Sequence, residues 1–460
     1  MGGTVMFELR EELKPHQKIS AQFMHENPRC INGDKPGIGK TFPTLNATLT
    51  EKRNENILIS CGKSAMSVWP AEIEKWYPEH LHRLRVVKGD PATRLAIWNK
   101  ASDGLIWLCS LNALTTDLKV MPGPWDCTIL DEAHKFKSRK SKLLKYVKCI
   151  RSTSLYMLTG TPTSRHLSEL WTYLNLIDSR KFSSYWKWVN TFFYQDIGDW
   201  GDRKLGPVKD EKAFQKMLAP YFIRRDKVEG MPPLVETEFP VEMTIGQKKL
   251  YRQISEDMLA ETSPDQWLIA STVMAKIVRL RQLLVCPKLL DPNIPEYGAA
   301  IHAIADYIED NEISHTVIFC PFKAAFPYLS AFLWDRLGIA AHQLVGGMDG
   351  DIVSRTIKDW ERQDSGIIFL SIQFAQSFSL IHSQNGFFLG YDYDPNNNEQ
   401  ARYRMLRLNS SAGAFIRGVS HGKNTADEDT MGIITGKLSM TEAINRMPVK
   451  LRAFLEPQNK

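Results

Sequence analysis

The sequence predicts an α/β chain of two lobes, each a parallel sheet flanked by helices, joined by a helical stretch. Three observations predict it. At 460 residues the chain exceeds what one core supports at roughly 150 residues per domain. Short β-rich runs then alternate with helix-length segments from Asn56 to Thr161, and the alternation returns from Thr316 onward. The first set of runs is Ile57-Leu58-Ile59-Ser60, Leu105-Ile106-Trp107-Leu108, Cys127-Thr128-Ile129-Leu130 and Leu155-Tyr156-Met157-Leu158-Thr159. The second is Thr316-Val317-Ile318-Phe319, Gly366-Ile367-Ile368-Phe369-Leu370 and Gly386-Phe387-Phe388-Leu389-Gly390. From Asp178 to Pro295 the pattern is helical and the sheet signal fades, with breaks at Gly198 to Pro207 and at Gly230-Met231-Pro232-Pro233. The expected organisation is a first lobe over 1–178, a helical linker with insertions over 179–295, and a second lobe over 296–460.

With 43% hydrophobic and 24% charged residues the composition is that of a folded globular protein, not of a disordered or fibrous one. A net charge of +6 is compatible with a polyanionic partner without requiring one. No apolar run approaches the ~18 residues of a membrane span. The amino terminus turns acidic at Glu8, Glu11 and Glu12, where a signal peptide turns apolar, and Met1 to Met6 carries no myristoylation pattern. A cytoplasmic, intracellular protein with no membrane partner is the expectation. The seven cysteines are scattered without zinc or redox spacing, so they read as small buried hydrophobes.

Chemistry enters with Gly37-Ile38-Gly39-Lys40-Thr41. In such a turn the backbone amides approach phosphate oxygens, Lys40 neutralises their charge and Thr41 holds magnesium. The strict phosphate-loop pattern has a glycine where this chain has Asp34. A partner carboxylate is required at the end of a neighbouring strand, and Thr128-Ile129-Leu130-Asp131-Glu132-Ala133-His134 supplies it. Asp131 suits magnesium, and Glu132 suits orienting and deprotonating an attacking water. Phosphoryl transfer also needs cations for the developing charge. Arg404 and Arg407, three apart in Gln400-Ala401-Arg402-Tyr403-Arg404-Met405-Leu406-Arg407, would share one face of a helix.

Taken in order, these residues resemble the superfamily-two helicases, and among them the Swi/Snf-like DNA translocases, over nearly the whole chain. Leu13-Lys14-Pro15-His16-Gln17 resembles the adenine-reading element, with Gln17 as its reader. Asp34, Lys35, Pro36, Gly37, Ile38, Gly39, Lys40 and Thr41 resemble the first motif. Trp69, Glu72 and Trp76 are similar to the following block, where the resemblance places Lys63 and Ser64 against the nucleic-acid strand. Ser110-Leu111-Asn112-Ala113-Leu114 is similar to the next strand-contacting motif. Asp131 to His134 with Lys135-Phe136-Lys137 resembles the second motif. Leu158-Thr159-Gly160-Thr161-Pro162, with Glu169-Leu170-Trp171 behind it, resembles the third. Ile223-Arg224-Arg225-Asp226-Lys227 and Gln247-Lys248-Lys249-Leu250-Tyr251 look like the inter-lobe segment, and Gln400 to Arg407 like the sixth motif.

The resemblance implies two tandem RecA-like lobes that clamp ATP and Mg2+, with Lys40, Asp131 and Glu132 on one lobe and Arg404 and Arg407 on the other. His134, Thr159, Gly160, Thr161 and Gln400 would couple nucleotide state to grip, and Ser371 would touch the strand. Two departures stand out. The fifth motif is expected to be glycine-rich, yet the segment here is Ser371-Ile372-Gln373-Phe374-Ala375-Gln376-Ser377-Phe378-Ser379-Leu380. The sixth usually ends in Gly-Gln, where this chain has Asn409-Ser410.

The segment Tyr185 to Tyr194, followed by Trp200 and Arg203-Lys204, fits either a base-stacking platform that wedges strands or an amphipathic helix packing its aromatics on the first lobe. Helical spacing of the aromatics favours the second. Lys135, Lys137, Arg139, Lys140, Lys142 and Lys145 suit phosphate tracking and a solvated face equally. The functional expectation is a monomeric ATP-dependent DNA helicase or translocase acting on branched or duplex DNA, with single strands also possible, in replication, recombination or repair. An RNA helicase is the first alternative. The second is a nucleic-acid-binding protein with a weakly coupled nucleotide site.

Overall fold

The structure, a computed structural model, describes residues 7–50, 55–100, 104–163, 166–197, 203–257, 266–374, 378–407, 410 and 412–435. Two compact units divide the chain, Met1–Met231 and Pro232–Lys460.

The strands of the first unit are β1 (Arg29–Asn32), β2 (Ile57–Cys61), β3 (Leu84–Val87), β4 (Ile106–Ser110), β5 (Trp125–Asp131), β6 (Ser152–Leu158), β7 (Phe193–Ile197), β8 (Arg203–Val208) and β9 (Phe222–Ile223). Seven of them form one sheet in the order β3-β4-β2-β5-β6-β1-β9, and every pairing in it is parallel. Helices cover both faces, which is why the strands read as continuous apolar runs. Ile57, Ile59, Ile106, Leu108, Cys127 and Ile129 point into one core. Leu58, Trp107, Cys109 and Leu130 point into the other. The pleat sorts neighbours in sequence onto opposite faces.

The second unit contains β10 (Leu234–Pro240), β11 (His315–Cys320), β12 (Ala341–Leu344), β13 (Gly366–Ser371), β14 (Asn385–Phe388) and β15 (Ala414–Ser420). They form a six-stranded sheet in the order β10-β15-β14-β11-β13-β12, again with parallel pairings. Ile318, Cys320, Ile367, Phe369 and Phe387 pack with Ile301, Ile304, Leu329 and Leu333 from the helices Ala299–Asp310 and Phe326–Leu337. The chain is thus two α/β lobes, each a parallel sheet flanked by helices, as expected.

The stretch 179–295 is not uniformly helical. It holds the antiparallel hairpin β7-β8, the edge strand β9 of the first sheet and the edge strand β10 of the second. Its first part packs on the first unit, where Phe182, Trp188, Val189, Phe193, Phe214 and Leu218 join the core. The aromatics of Tyr185–Phe192 therefore pack as an amphipathic helix on this lobe, with Trp188 and Val189 buried. Trp186 stays half-exposed between Arg139, 6.0 Å from its ring centre, and Arg203, 5.0 Å away. Trp200 lies outside the described residues. No helix among the described residues is long and apolar enough to cross a membrane.

Candidate nucleotide and nucleic-acid site

In parallel α/β sheets ligands gather beyond the carboxyl ends of the strands. The candidate residues of the first unit follow that rule. β1 ends at Asn32 and runs into the phosphate loop. β2 ends before Lys63, β4 ends at Ser110, β5 at Asp131, and β6 just before Thr159.

The phosphate loop leads into the helix Thr41–Leu49, whose amino end carries Thr41 and whose preceding residue is Lys40. Gly39 takes φ 86°, and a Cβ there would meet the Gln17 amide nitrogen at 2.8 Å. Gln17 lies on the helix Pro15–Glu26. Its Oε1 accepts from the Lys14 amide at 3.1 Å and its Nε2 donates to the Gly39 carbonyl at 3.0 Å. His16 Nε2 lies 3.2 Å from the Ile38 carbonyl. The helix implicated in adenine reading is thereby docked on the loop that would hold phosphates. The Lys40 ammonium donates to the Asp34 carbonyl at 2.7 Å and the Lys35 carbonyl at 3.3 Å.

At the end of β5, Asp131 Oδ1 accepts from the Glu132 amide at 2.9 Å and Oδ2 from the Trp69 indole at 3.4 Å. Burial raises the Asp131 carboxyl pKa and the Glu132 charge raises it further, while Lys40 opposes both. Glu132 itself sits at φ 55°, ψ 44°, a conformation that non-glycine residues seldom adopt. Its Oε2 lies 3.2 Å from His134 Nδ1.

Thr159 and Thr161 are buried. Thr159 takes its place through its amide, which donates to the Asn32 carbonyl at 3.1 Å. Its hydroxyl accepts from the Thr161 amide at 3.2 Å. Gly160 packs on Pro36 so closely that a Cβ would lie 2.6 Å from the proline ring. The third motif therefore touches the first directly. The second and third are tied as well, because the Thr172 hydroxyl donates to the Lys137 carbonyl at 2.7 Å and Lys137 Nζ lies 4.0 Å from Glu169.

In the second unit the two arginines of the sixth motif follow a helix rather than lie on one. The Asp- and Asn-rich segment forms the helix Pro395–Arg402, capped by Asp394 and carrying a buried Gln400, and Arg404 and Arg407 come after it. Both arginines nonetheless converge on one point. Arg404 Nη1 and Arg407 Nη2 each donate to the Phe378 carbonyl at 3.0 Å, and Arg407 Nε donates to Ser379 Oγ at 2.8 Å. The Leu380 amide donates back to the Arg404 carbonyl at 2.7 Å. The unusual fifth motif thus orders the arginine pair largely through main-chain atoms, which do not require glycine. Ser371 ends β13 with its side chain buried. Residues 375–377 and Asn409 lie outside the described residues.

Among the expected strand-contacting residues, Lys63 is exposed, while nothing is described of the Ser64 side chain. Ser110 Oγ caps the helix Leu111–Thr116 by accepting from the Ala113 amide at 3.2 Å. Lys135, Lys140, Lys142 and Lys145 are exposed, and Arg139 stacks 3.4 Å from the centre of the Tyr185 ring.

Several residues with a part in the site carried no such role in the sequence reading. Asn32 is fully buried, and its Oδ1 accepts from the Asp34 amide at 3.1 Å. Ser20 donates to Asp34 Oδ2 at 3.2 Å. Arg224 and Arg225 reach the phosphate loop from far along the chain. Asn32 ends the short strand Arg-Cys-Ile-Asn, and no local pattern singles it out.

The chain is 24% identical over 463 residues to the zebrafish (Danio rerio) chromodomain-helicase-DNA-binding protein 1-like, covering 94% of this chain and 44% of that protein. It is 28% identical to the Arabidopsis thaliana CHD3-type chromatin-remodeling factor CHR7, over 61% of this chain and 23% of that one. It is 30% identical to the fission yeast (Schizosaccharomyces pombe) chromatin structure-remodeling complex subunit snf21, over 53% of this chain and 22% of that one. It thus spans less than half the length of these relatives. Among solved structures, the Sulfolobus solfataricus SWI2/SNF2 ATPase core in complex with dsDNA aligns over 98% of this chain and 96% of its own, with 19% identity and a TM-score of 0.45. The family model described as the SNF2-related domain matches residues 16–289, and the chain belongs to that family.

Proposed function

We propose that this chain is the ATP-hydrolysing core of a DNA translocase of superfamily two. One observation carries the reading. The Lys40 loop after β1 and the Asp131-Glu132 pair after β5 emerge from one parallel sheet on either side of β6, and β6 ends in the Thr159-Gly160-Thr161 segment that touches the phosphate loop through Gly160 and Pro36. A phosphate cradle, an acid-base pair and a sensing element are thus linked through three strands.

Lys40 leaves its two carbonyl partners to neutralise the terminal phosphates of ATP. Glu132, steadied by His134, orients the attacking water and takes its proton. Arg404 and Arg407 counter the charge of the transition state. Thr41 and Asp131 are hard oxygen donors of the kind magnesium takes, and two protein ligands leave its other positions to phosphate and water. Bound there, magnesium would neutralise phosphate charge. Because ATP binds one arrangement of the lobes better than another, turnover shifts their populations and moves the chain along its track.

DNA is favoured over RNA as that track because relatives are named as chromatin remodelers and DNA-binding helicases. Exposed Lys63 and the exposed lysines of the segment 135–145 would supply the phosphate contacts. Branched DNA is the finer proposal, with a role in replication, recombination or repair. Steady-state ATPase rates with no nucleic acid, single strands, duplex, a four-way junction and RNA test the reading. Stimulation by DNA, strongest with the junction, is expected. Stimulation by RNA alone overturns the substrate class, and equal stimulation by duplex and junction overturns the branched preference.

A further inference from the structure

The segment from which the chain passes toward the second unit is built into the wall of the phosphate loop. The pairing of β9 with β1 continues beyond both strands. The Ile31 amide donates to the Tyr221 carbonyl at 2.8 Å, Gly33 to Ile223 at 2.7 Å, and Lys35 to Arg225 at 3.1 Å. Two guanidinium groups then reach across. Arg225 Nη1 donates to Asp34 Oδ2 at 3.1 Å, to Ser20 Oγ at 2.9 Å and to the His16 carbonyl at 2.7 Å. Arg224 Nη1 lies 3.3 Å from both the Gly33 and Gly160 carbonyls.

Asp34 stands at the centre of this arrangement. It is 2% exposed, and a carboxylate that deep is costly to bury without a cation and hydrogen bonds around it. Its side chain meets Arg225, and its main-chain carbonyl receives Lys40 Nζ at 2.7 Å. One residue therefore joins the linker arginine to the phosphate-binding lysine. That also accounts for an aspartate where a strict phosphate loop has glycine.

We propose that Arg225 is a positioning residue for the ATP site. It fixes Asp34 and, through the Asp34 carbonyl, the place from which Lys40 acts. The phosphate loop then holds its shape only while the segment 221–225 stays zipped along it. The idea rests on the nucleotide reading above, but the loop's rigidity is measurable without nucleotide.

The test uses the full chain and the variants Arg225→Ala, Arg225→Lys and Asp34→Asn. Hydrogen exchange is followed at amides 33–41, together with binding of a fluorescent ATP analogue and steady-state kinetics. With Arg225→Ala, exchange at 33–41 rises while β2, β4 and β5 stay protected. The ATP KM rises about tenfold with a smaller change in kcat, as when an outer partner of a ligand site is lost. Lysine keeps the charge but not the planar fork, so Arg225→Lys recovers part of the loss. If Arg225→Ala exchanges its loop amides and binds nucleotide like the unaltered chain, the proposal is overturned. If Arg225→Ala does not fold, Arg225→Lys and Asp34→Asn decide by the same two readouts. If the unaltered chain binds no ATP, the functional reading fails, and the exchange result alone still decides the clamp.

Discussion

At the scale of single residues, Glu132 stands where backbone strain and the proposed chemistry coincide. Its left-handed backbone, at φ 55°, costs on the order of 1–3 kcal/mol and persists where the surroundings over-determine it, as at functional sites. Glu132→Gln keeps size and hydrogen bonding but removes the base. It is expected to lower ATP turnover by about 10²- to 10⁴-fold while leaving binding of a fluorescent ATP analogue intact; undiminished turnover would remove Glu132 from the chemistry. Arg404 and Arg407, ordered on the Phe378 carbonyl, carry a second prediction. Replacing Arg407 by alanine is expected to lower kcat by about 10³-fold or more, the scale of a lost arginine finger, with little change in nucleotide affinity. Single-turnover rates measure it, and a loss confined to nucleotide affinity would argue that the arginine holds ground-state ATP instead. The placement of Lys40, Asp131 and Glu132 beyond the strand ends of one sheet was legible in the sequence, because phosphate and acid-base chemistry would confine such residues to short local patterns. The role of Arg225 was not, since it lies 191 positions from Asp34 and only folding brings the two together.

At the scale of elements, the longer apolar strands with both faces covered announced themselves, while the edge strands and the interior β1 and β15 did not. β2, β4, β5, β11 and β13 are apolar runs because helices pack on each side. β10, Leu-Val-Glu-Thr-Glu-Phe-Pro, is largely exposed and ends in proline, as edge strands do, so it reads as a loop until its parallel pairing with β15 is seen. β9 is two residues long and leaves no pattern at all. Helices are pinned by local polar knots, of which the clearest joins the helix Pro91–Trp98 to the turn after Leu111–Thr116. Arg94 binds Asp117 through Nε at 2.7 Å and Nη2 at 2.9 Å, and the Trp98 indole donates to the same carboxylate at 3.1 Å. The Arg94 bonds hold the Asp117 carboxyl down at about 2. A depressed carboxylate contributes stability above its unfolded pKa near 4 and loses it as pH falls toward the folded value, and here the contribution is about 2 kcal/mol. Urea unfolding of Asp117→Asn should show a deficit of that order at pH 7 that shrinks below pH 4. A deficit independent of pH would assign the cost to packing.

At the scale of the whole molecule, two parallel-sheet units share one design. Strand ends deliver Lys40, Asp131, Glu132 and Thr159 in the first unit, and Phe378 and Ser379 order Arg404 and Arg407 in the second. The sequence disclosed that duplication through its two sets of apolar runs. It did not disclose where one unit stops, because the boundary at Met231 and Pro232 falls within a stretch whose polarity hides two edge strands. The altered fifth motif is reconciled at this scale too. What it supplies to the arginines is mostly backbone, so its departure from a glycine-rich pattern leaves their ordering intact.

The central claim is that ATP turnover drives movement along DNA. Displacement of a short third strand from a DNA triplex by the full chain, with ATP and magnesium, tests it most directly. Displacement is expected to depend on hydrolysable ATP and to be lost in Glu132→Gln. Brisk DNA-stimulated hydrolysis without displacement would contradict it and leave a nucleic-acid-binding ATPase that does not move.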